Sequence, residues 1–306
     1  MFQARDVKSL RDKTGCGMME CKNALTEAKG DEQVAFRILR EKGLAQMSKK
    51  GGRQTTEGTV ALYFDSTYHR AAMIEINSET DFTAKNEVFL NFAHMVAKTA
   101  VLGKINHLDE LREAKLHGGS GQKVTEALAD LVSKIGENIT LRRLKTLETK
   151  PDGLVVGYSH MGGKIATLVE FGHVDPEVRE SLAEFGREIG MHVVAMAPLY
   201  LDQSSVPSAV VTSEQEIIHT KLIAENKPQD KIPMIAKGKL AKFFSEVCVL
   251  KQKYVKDPQH TVAQVISDFD PKVNLTGFYR FELGDGLEKK ADNFADEVAR
   301  QVSLNS

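Results

Sequence analysis

The pattern of apolar and polar positions in the first 50 residues predicts three short helices. The first helix ends in the turn 14–17, and apolar residues then recur every three or four positions along 18–28. Asp31 can cap a third helix, which we expect to end at Gly43. Three helices of this length enclose a thin core. The polar stretch 48–57 follows, and its composition suits a tether to the rest of the chain.

Beyond residue 58 the period changes, and stretches typical of strands alternate with stretches typical of helices. Turn residues at 151–153 and 161–163 separate three of the predicted strands. We expect strands at 59–64, 68–76, 139–148, 154–160 and 165–171, and helices from about Asn86, over 123–135 and over 176–196. This mixture of helices and small antiparallel sheets predicts an α+β fold.

An ungapped internal repeat relates the two halves of the body. Four pairs of identical residues lie 95 positions apart: Gly58 and Gly153, Tyr63 and Tyr158, Ala71 and Ala166, Glu75 and Glu170. Each stretch then leads into a predicted helix, so we expect two related α+β subdomains, with chance similarity between two hairpins as the alternative. The predicted organisation is a helical head over 1–52, one core subdomain over 53–150 and a second over 151–306.

Two further segments complete the predicted organisation. Helical spacing before and after the polar turn 226–228 predicts an antiparallel helical hairpin over about 212–244. Its helices are too polar to be buried on all sides, so we expect the hairpin to project from the body. A strand is expected over 277–283, followed by a C-terminal module over about 285–306 with an amphipathic helix.

Composition and charge narrow the possible functions. Hydrophobic residues make up 42% of the chain and no long apolar run occurs, so we expect a globular protein with no membrane span. The N-terminus lacks the apolar segment of a secretory signal, which predicts a cytoplasmic location. The net charge is −1, with +5 in residues 1–55 and −6 in the remainder. This balance does not favour DNA binding by the chain as a whole.

The sequence offers little sign of enzyme chemistry. Cys16, Cys21 and Cys248 are odd in number and widely spaced, which argues against a disulfide framework, and a zinc site is not expected. The nearest approach to a phosphate-binding loop, over 157–164, has one residue too many and ends in Ile165. The sequence therefore contains no phosphate-binding loop of this kind. A small-molecule enzyme with its site between the subdomains is a remote alternative.

Two places combine large apolar side chains with polar surroundings. Phe82 follows Thr80 and Asp81 and precedes Thr83 in a connection between a strand and a helix. The ring could fold back on the helix as a hydrophobic staple, or it could be an exposed anchor for a partner. Met18-Met19 poses a similar choice between one core methionine with an incidental neighbour and a flexible contact surface beside a basic residue.

The chain resembles the elongation factor Ts family over nearly its whole length. Residues 7–25 read V-K-x-L-R-x-K-T-G-x-G-M-M-x-C-K-x-A-L, and residues 75–82 read E-I-N-S-E-T-D-F. The resemblance extends through Phe278, Arg280, Phe281 and Glu282. Cys16, Glu20 and Thr83 stand where the family commonly has alanine, aspartate and valine, and residues 103–122 are harder to match.

This resemblance implies a guanine-nucleotide exchange factor for elongation factor Tu that performs no covalent chemistry. It also implies that the chain needs no cofactor and no nucleotide site of its own, which agrees with the missing phosphate loop. It implies a head similar to a ubiquitin-associated module and a hairpin that contributes to partner binding or self-association. Phe82 would act as a wedge beside the partner's magnesium site, within the segment Thr80, Asp81, Phe82 and Thr83. The other implied contacts are Met18, Met19, Cys21 and Lys22 with the GTPase domain and His160 with a second partner domain.

The main alternative is an RNA- or ribosome-binding adaptor that uses the basic head as its anchor. Binding to RNA should weaken steeply as salt is added, because Lys and Arg contacts to phosphates release counterions. Docking through Phe82 and the two methionines should depend much less on salt. The salt dependence of partner binding therefore distinguishes the two functions.

Overall fold

The computed structural model describes residues 2–119 and 121–287. The helix predicted within the C-terminal module lies outside these residues, as does nearly all of that module. Within them, the fold is α+β: a helical head, two three-stranded antiparallel sheets with helices, a helical hairpin and a separate two-stranded sheet. No helix among the described residues is long and apolar enough to cross a bilayer.

The head contains the three predicted helices, α1 (Ala4–Thr14), α2 (Met18–Glu27) and α3 (Glu32–Lys50). The carboxylate of Asp31 accepts a hydrogen bond from the backbone N–H of Val34, which confirms the predicted cap of α3. The head has a core of its own, built from nine buried residues: Val7, Leu10, Cys16, Cys21, Ala24, Leu25, Ala28, Ala35 and Leu39. Its likeness to a ubiquitin-associated module stays a prediction.

The prediction that α3 ends at Gly43 is wrong, because the helix continues to Lys50. Gly43 lies at a helix–helix contact, where a Cβ atom would come within 3.3 Å of the carbonyl oxygen of Ala129 in α7 (Val124–Ile135). The missing side chain allows the two backbones to approach closely. The second half of α3 therefore packs on the body, where Met47 contacts the core, and the connection to the first strand shortens to 51–56.

The first subdomain is a three-stranded antiparallel sheet with helices on one face. Its strand order is β1-β2-β3, and the register pairs Val60 with Glu75 in the first two strands and Ile74 with Leu144 in the next two. Its elements are β1 (Glu57–Phe64), β2 (Arg70–Ser78), α4 (Asp81–Ala84), α5 (Glu87–Leu102), α6 (Leu108–Glu113), α7 and β3 (Ile139–Glu148).

The second subdomain repeats this plan. Strands β4 (Leu154–His160) and β5 (Ile165–Gly172) form a hairpin, α8 (Arg179–Met196) covers it, and β8 (Asn274–Glu282) adds the third strand. Both sheets also carry a register irregularity at the same place in the repeat, after Glu75 in the first and after Glu170 in the second. Topology and register therefore confirm the predicted relationship between the halves.

The two sheets pack face to face between their helices. Successive side chains of a strand point to opposite faces, so Ala72 and Ile74 pack toward α5 while Ala71 and Met73 meet the second sheet. This alternation explains why every residue of β2 is buried. The resulting layers run helix, sheet, sheet, helix.

Arg142 and Arg143 of β3 help to hold the buried carboxylate of Glu75, whose side chain is fully shielded from solvent. The Arg142 guanidinium donates to it at 2.8 Å, and the backbone N–H of Gly284 donates at 2.9 Å. Burial alone would raise the pKa of Glu75, but these donors outweigh it and lower the pKa. The carboxylate thus fastens the end of β8 to the first sheet.

The hairpin lies between the helix and the third strand of the second subdomain. Its helices are α9 (Ser208–Ala224) and α10 (Ile232–Val247), and each packs chiefly on the other through Ile218, Leu222 and Ile232. A separate cluster at the base contains Val206, Phe244 and Cys248. The remaining elements are β6 (Lys253–Tyr254), β7 (Asp257–Thr261) and α11 (Val262–Phe269).

Candidate protein-interaction surface

Phe82 lies in α4, a single helical turn between β2 and α5, and 82% of the residue is exposed. The hydrophobic-staple alternative is therefore excluded, because a staple would bury the ring against α5. The next two residues, Thr83 and Ala84, are buried and anchor the turn to the sheet. The short helix thus holds its own backbone against the body and directs one aromatic ring into solvent.

Thr80 fixes the start of this helix through each of its polar groups. Its hydroxyl oxygen accepts the N–H of Thr83 at 3.3 Å, and its carbonyl oxygen accepts from the hydroxyl of Ser78 at 3.0 Å. Its own N–H and hydroxyl donate to the two carboxylate oxygens of Glu137, at 3.1 and 2.7 Å. Nothing in the local sequence indicated Glu137, because it lies 57 residues away.

Asp81 flanks the ring on the solvent side and pairs with Lys85, one helical turn later, at 2.7 Å. The hydrogen bond from Lys85 lowers the pKa of Asp81, and the positive charge of Lys164 adds to the effect. The carboxylate is therefore ionised at neutral pH and available to a partner's hydrogen-bond donor. Its partial exposure means that the ion pair contributes little to folding.

A cleft of about 370 Å³ lies beside Phe82. It is lined by Phe82, Thr83, Asn86, Val88, Lys134 and Ile135. The last two residues end α7, so the same helix that supports α3 also borders the exposed ring. The cleft is open to solvent and adds Val88, with 41% exposure, to the apolar surface.

Met18 and Met19 open α2 with 45% and 62% exposure, so neither is a core methionine. Lys22 is also exposed on this helix. Cys21, in contrast, is fully buried in the core of the head, with its sulfur 3.8 Å from the hydroxyl oxygen of Thr14. The expectation that Cys21 touches a partner directly is therefore wrong, because apolar packing inside the head covers the side chain.

The end of α7 connects the two apolar places. A Cβ atom on Gly15, in the turn before α2, would come within 3.0 Å of the Lys134 side chain. Lys134 also lines the cleft beside Phe82. Lys50, at the end of α3, donates to the carbonyl oxygen of Gly136 at 2.7 Å. The head and the ring are thus supported by one helix and by the turn that follows it.

His160 ends β4 and is half-buried, with its Nδ1 atom 3.2 Å from the Tyr158 hydroxyl. It begins the turn 160–163, in which Met161 is 72% exposed. The carbonyl oxygen of Gly163 accepts from the N–H of Val60 at 2.8 Å, which fastens this turn to β1. Met161 also has φ +49°, an uncommon conformation for a residue other than glycine. Sequence patterns did not single it out.

The sequence predicted neither a metal site nor a disulfide framework. Within 2–119 and 121–287, no group of three or more His, Cys, Asp or Glu side chains is placed to hold a metal ion. The three cysteines are free and buried. Fold and site together define an α+β protein of two repeated subdomains whose candidate residues are exposed apolar side chains on firmly held turns and helices.

Comparisons with known proteins identify the family. A family model described as Elongation factor TS matches residues 79–285. The chain is 40% identical to an elongation factor Ts of Halothermothrix orenii over 98% of both chains, and 41% identical to one of Nautilia profundicola over 97% of both. An elongation factor Ts of Clostridium novyi is 39% identical over 99% of both chains. The chain belongs to the elongation factor Ts family and is a translation elongation factor.

Proposed function

We propose that this chain binds elongation factor Tu in its GDP-bound state and promotes release of GDP, which allows GTP to load. Family membership supports this role, and the observation that carries the mechanism is the 82% exposure of Phe82 on a firmly held helical turn. An exposed aromatic ring with little freedom of its backbone loses little entropy on docking. The chain makes and breaks no covalent bond in this role.

Phe82 enters the partner beside its magnesium site and disturbs the contacts to the metal ion and the phosphates. Asp81 supports that contact through a hydrogen bond or its charge. Met18, Met19 and Lys22 contact the GTPase domain, and His160 contacts a second domain. Thr80, Thr83 and Cys21 act from within, because they hold the exposed residues in place.

The thermodynamics of exchange require linkage between the two ligands of elongation factor Tu. If this chain weakens the binding of GDP by some factor, GDP must weaken the binding of this chain by the same factor. Such couplings are typically about 1–3 kcal/mol. The chain needs no nucleotide site of its own, because its effect acts through the partner's affinity.

The RNA-binding alternative rests on the net charge of the head, but several of these charges already have partners. The pairs within the head and between the head and α7 include Lys13 with Glu32, Lys42 with Glu27 and Arg40 with Glu126. A phosphate backbone would have to compete with these carboxylates. The apolar contact surface therefore favours a protein partner.

Stopped-flow release of a fluorescent GDP from elongation factor Tu tests the proposal. We expect the chain to accelerate release to a saturating rate. We also expect GDP to weaken the binding of this chain by the same factor by which the chain weakens the binding of GDP. The affinity should change little between 50 and 200 mM salt, whereas an RNA-type interaction through six phosphate contacts would weaken by about 10³-fold. Release at the uncatalysed rate would contradict the proposal.

A further inference from the structure

The turn that follows α7 holds the exposed ring in position from outside its own segment. Glu137 accepts both hydrogen bonds that Thr80 donates, one to each carboxylate oxygen. The next residue, Asn138, donates its N–H to the carboxylate of Glu79 at 2.6 Å. The strand–helix connection before Phe82 is thus bonded to this turn at two successive residues.

Together with the burial of Thr83 and Ala84, these bonds are long-range constraints on a segment that has little local stability. A helix of four residues such as α4 does not form by itself, because fixing the backbone of the first turn costs more free energy than its hydrogen bonds supply. Within the segment, the cap from Thr80 to Thr83 is long, at 3.3 Å. The bidentate bond to Glu137 therefore helps to set the direction of the turn that carries Phe82.

The turn itself is bonded to the end of the head and to the connection before β1. Gly136 ends α7 with φ +88°, and its carbonyl oxygen accepts from Lys50 of the head. Asn138 is buried, and its side-chain amide donates to the carbonyl oxygen of Arg53 at 2.8 Å. Glu137 therefore lies between two residues that are each hydrogen-bonded to another part of the chain.

We infer that Glu137 is a positioning residue for exchange, which acts on the partner through the placement of Phe82 and does not touch the partner itself. The inference rests on the proposed function, because it needs Phe82 to be the docking ring. Loss of the two bonds allows the turn to sample other orientations, and only the fraction with the native orientation can dock.

A double-mutant cycle with GDP release as the readout tests this inference on the full chain. Glu137→Ala should slow exchange about tenfold, since about two net hydrogen bonds restrain the ring. Glu137→Gln should restore near-normal exchange, because its amide can accept from the Thr80 N–H and donate to the hydroxyl. Glu113→Ala removes an exposed ion pair with Lys123 elsewhere in the subdomain and should leave exchange unchanged.

The decisive comparison uses Phe82→Ala as the background. If Glu137 acts through the ring, Phe82→Ala with Glu137→Ala should be no slower than Phe82→Ala alone. Multiplication of the two single effects would overturn the inference, and so would normal exchange by Glu137→Ala beside slow exchange by Phe82→Ala. Normal exchange by Phe82→Ala would overturn the proposed role of the ring and the inference together.

Hydrogen exchange provides a readout that does not depend on the partner. The amides of residues 80–85 should exchange faster in Glu137→Ala, while those of α5 should remain as protected as before. If Glu137→Ala did not fold, Glu137→Asp would replace it, because its shorter carboxylate loses at least one of the bonds. Unchanged protection of residues 80–85 in either variant would overturn the inference.

Discussion

Replacement of Phe82 by alanine should separate folding from function, and the exposure of the ring gives both magnitudes. Complete burial of a phenylalanine side chain is worth about 1.5–3 kcal/mol. Because 82% of Phe82 is exposed, folding gains only roughly a fifth of this, about 0.3–0.5 kcal/mol. About 1.2–2.5 kcal/mol remains for docking, which corresponds to a loss of roughly 10- to 60-fold in exchange.

The assay compares thermal melting with stopped-flow GDP release for the same purified variant. The melting temperature should fall by no more than about 2 °C in a chain of this size. Leu199→Ala is a matched control, because Leu199 is also strongly exposed, at 68%, but lies beyond α8 and away from α4. It should change neither melting nor exchange.

Two results would refute this reasoning. A fall of 8 °C or more in melting temperature would mean that the ring supports the fold, at roughly the 3–5 kcal/mol of a core aromatic. Normal exchange with a normal melting temperature would mean that the ring is exposed but has no part in docking. An equal loss of exchange in Leu199→Ala would show a general effect of surface apolar area.

Three further outcomes are expected. Glu75→Gln should lower the free energy of unfolding by about 2–4 kcal/mol at pH 7, because it leaves two arginines without their carboxylate. The pKa of Glu75 is lowered in the folded state, so its stabilisation is present above about pH 4.5 and is lost as the pH falls through the folded pKa. In the variant, the free energy of unfolding should therefore change less with pH in this acidic range. Gly43→Leu should cost about 1–3 kcal/mol in urea unfolding, because the side chain forces α3 away from α7. Replacement of 213–239 by a short linker should leave the two sheets folded by circular dichroism, since the base cluster with Phe244 is retained; loss of the cooperative transition would place the hairpin in the core.

Removal of the head should affect the stability of the body as well as exchange. Separate cores for head and body would allow residues 1–52 to be deleted without harm to the body. The head does have its own cluster of buried residues, but the second half of α3 covers α7, and Met47 contacts the core of the first subdomain. Deletion should therefore lower the melting temperature of the remainder as well as slow exchange.

Sequence patterns predicted local elements well and long-range pairings poorly. The strands 139–148 and 154–160 coincide with β3 and β4, because strand periodicity and turn residues are local signals. Gly43 misled the prediction of α3, since a glycine that ends a helix and one that permits close packing look the same in one sequence. The third strand of the second sheet lies about 100 residues after its neighbour β5, and its pairing partner had no local signal.

The sequence also indicated some residues of the candidate site and missed others. The resemblance pointed to Phe82, Met18 and Met19, and all three are exposed. The resemblance also implies a contact for Cys21, but the side chain is fully buried in the core of the head. Glu137 escaped notice because its importance depends on a bond to Thr80, far away in sequence.

The register shifts after Glu75 in β2 and after Glu170 in β5 indicate how the two subdomains are related. They lie 95 residues apart, as do the repeated residues, so one ancestral unit that was duplicated explains both. The same offset relates α4 to the short helical turn Pro176–Val178, where Glu177 occupies the position of Phe82. One copy thus carries an exposed aromatic ring after its second strand, and the other carries a carboxylate. Equivalent positions on the shared scaffold therefore carry side chains of opposite character, and these differences are what would give the two subdomains separate roles.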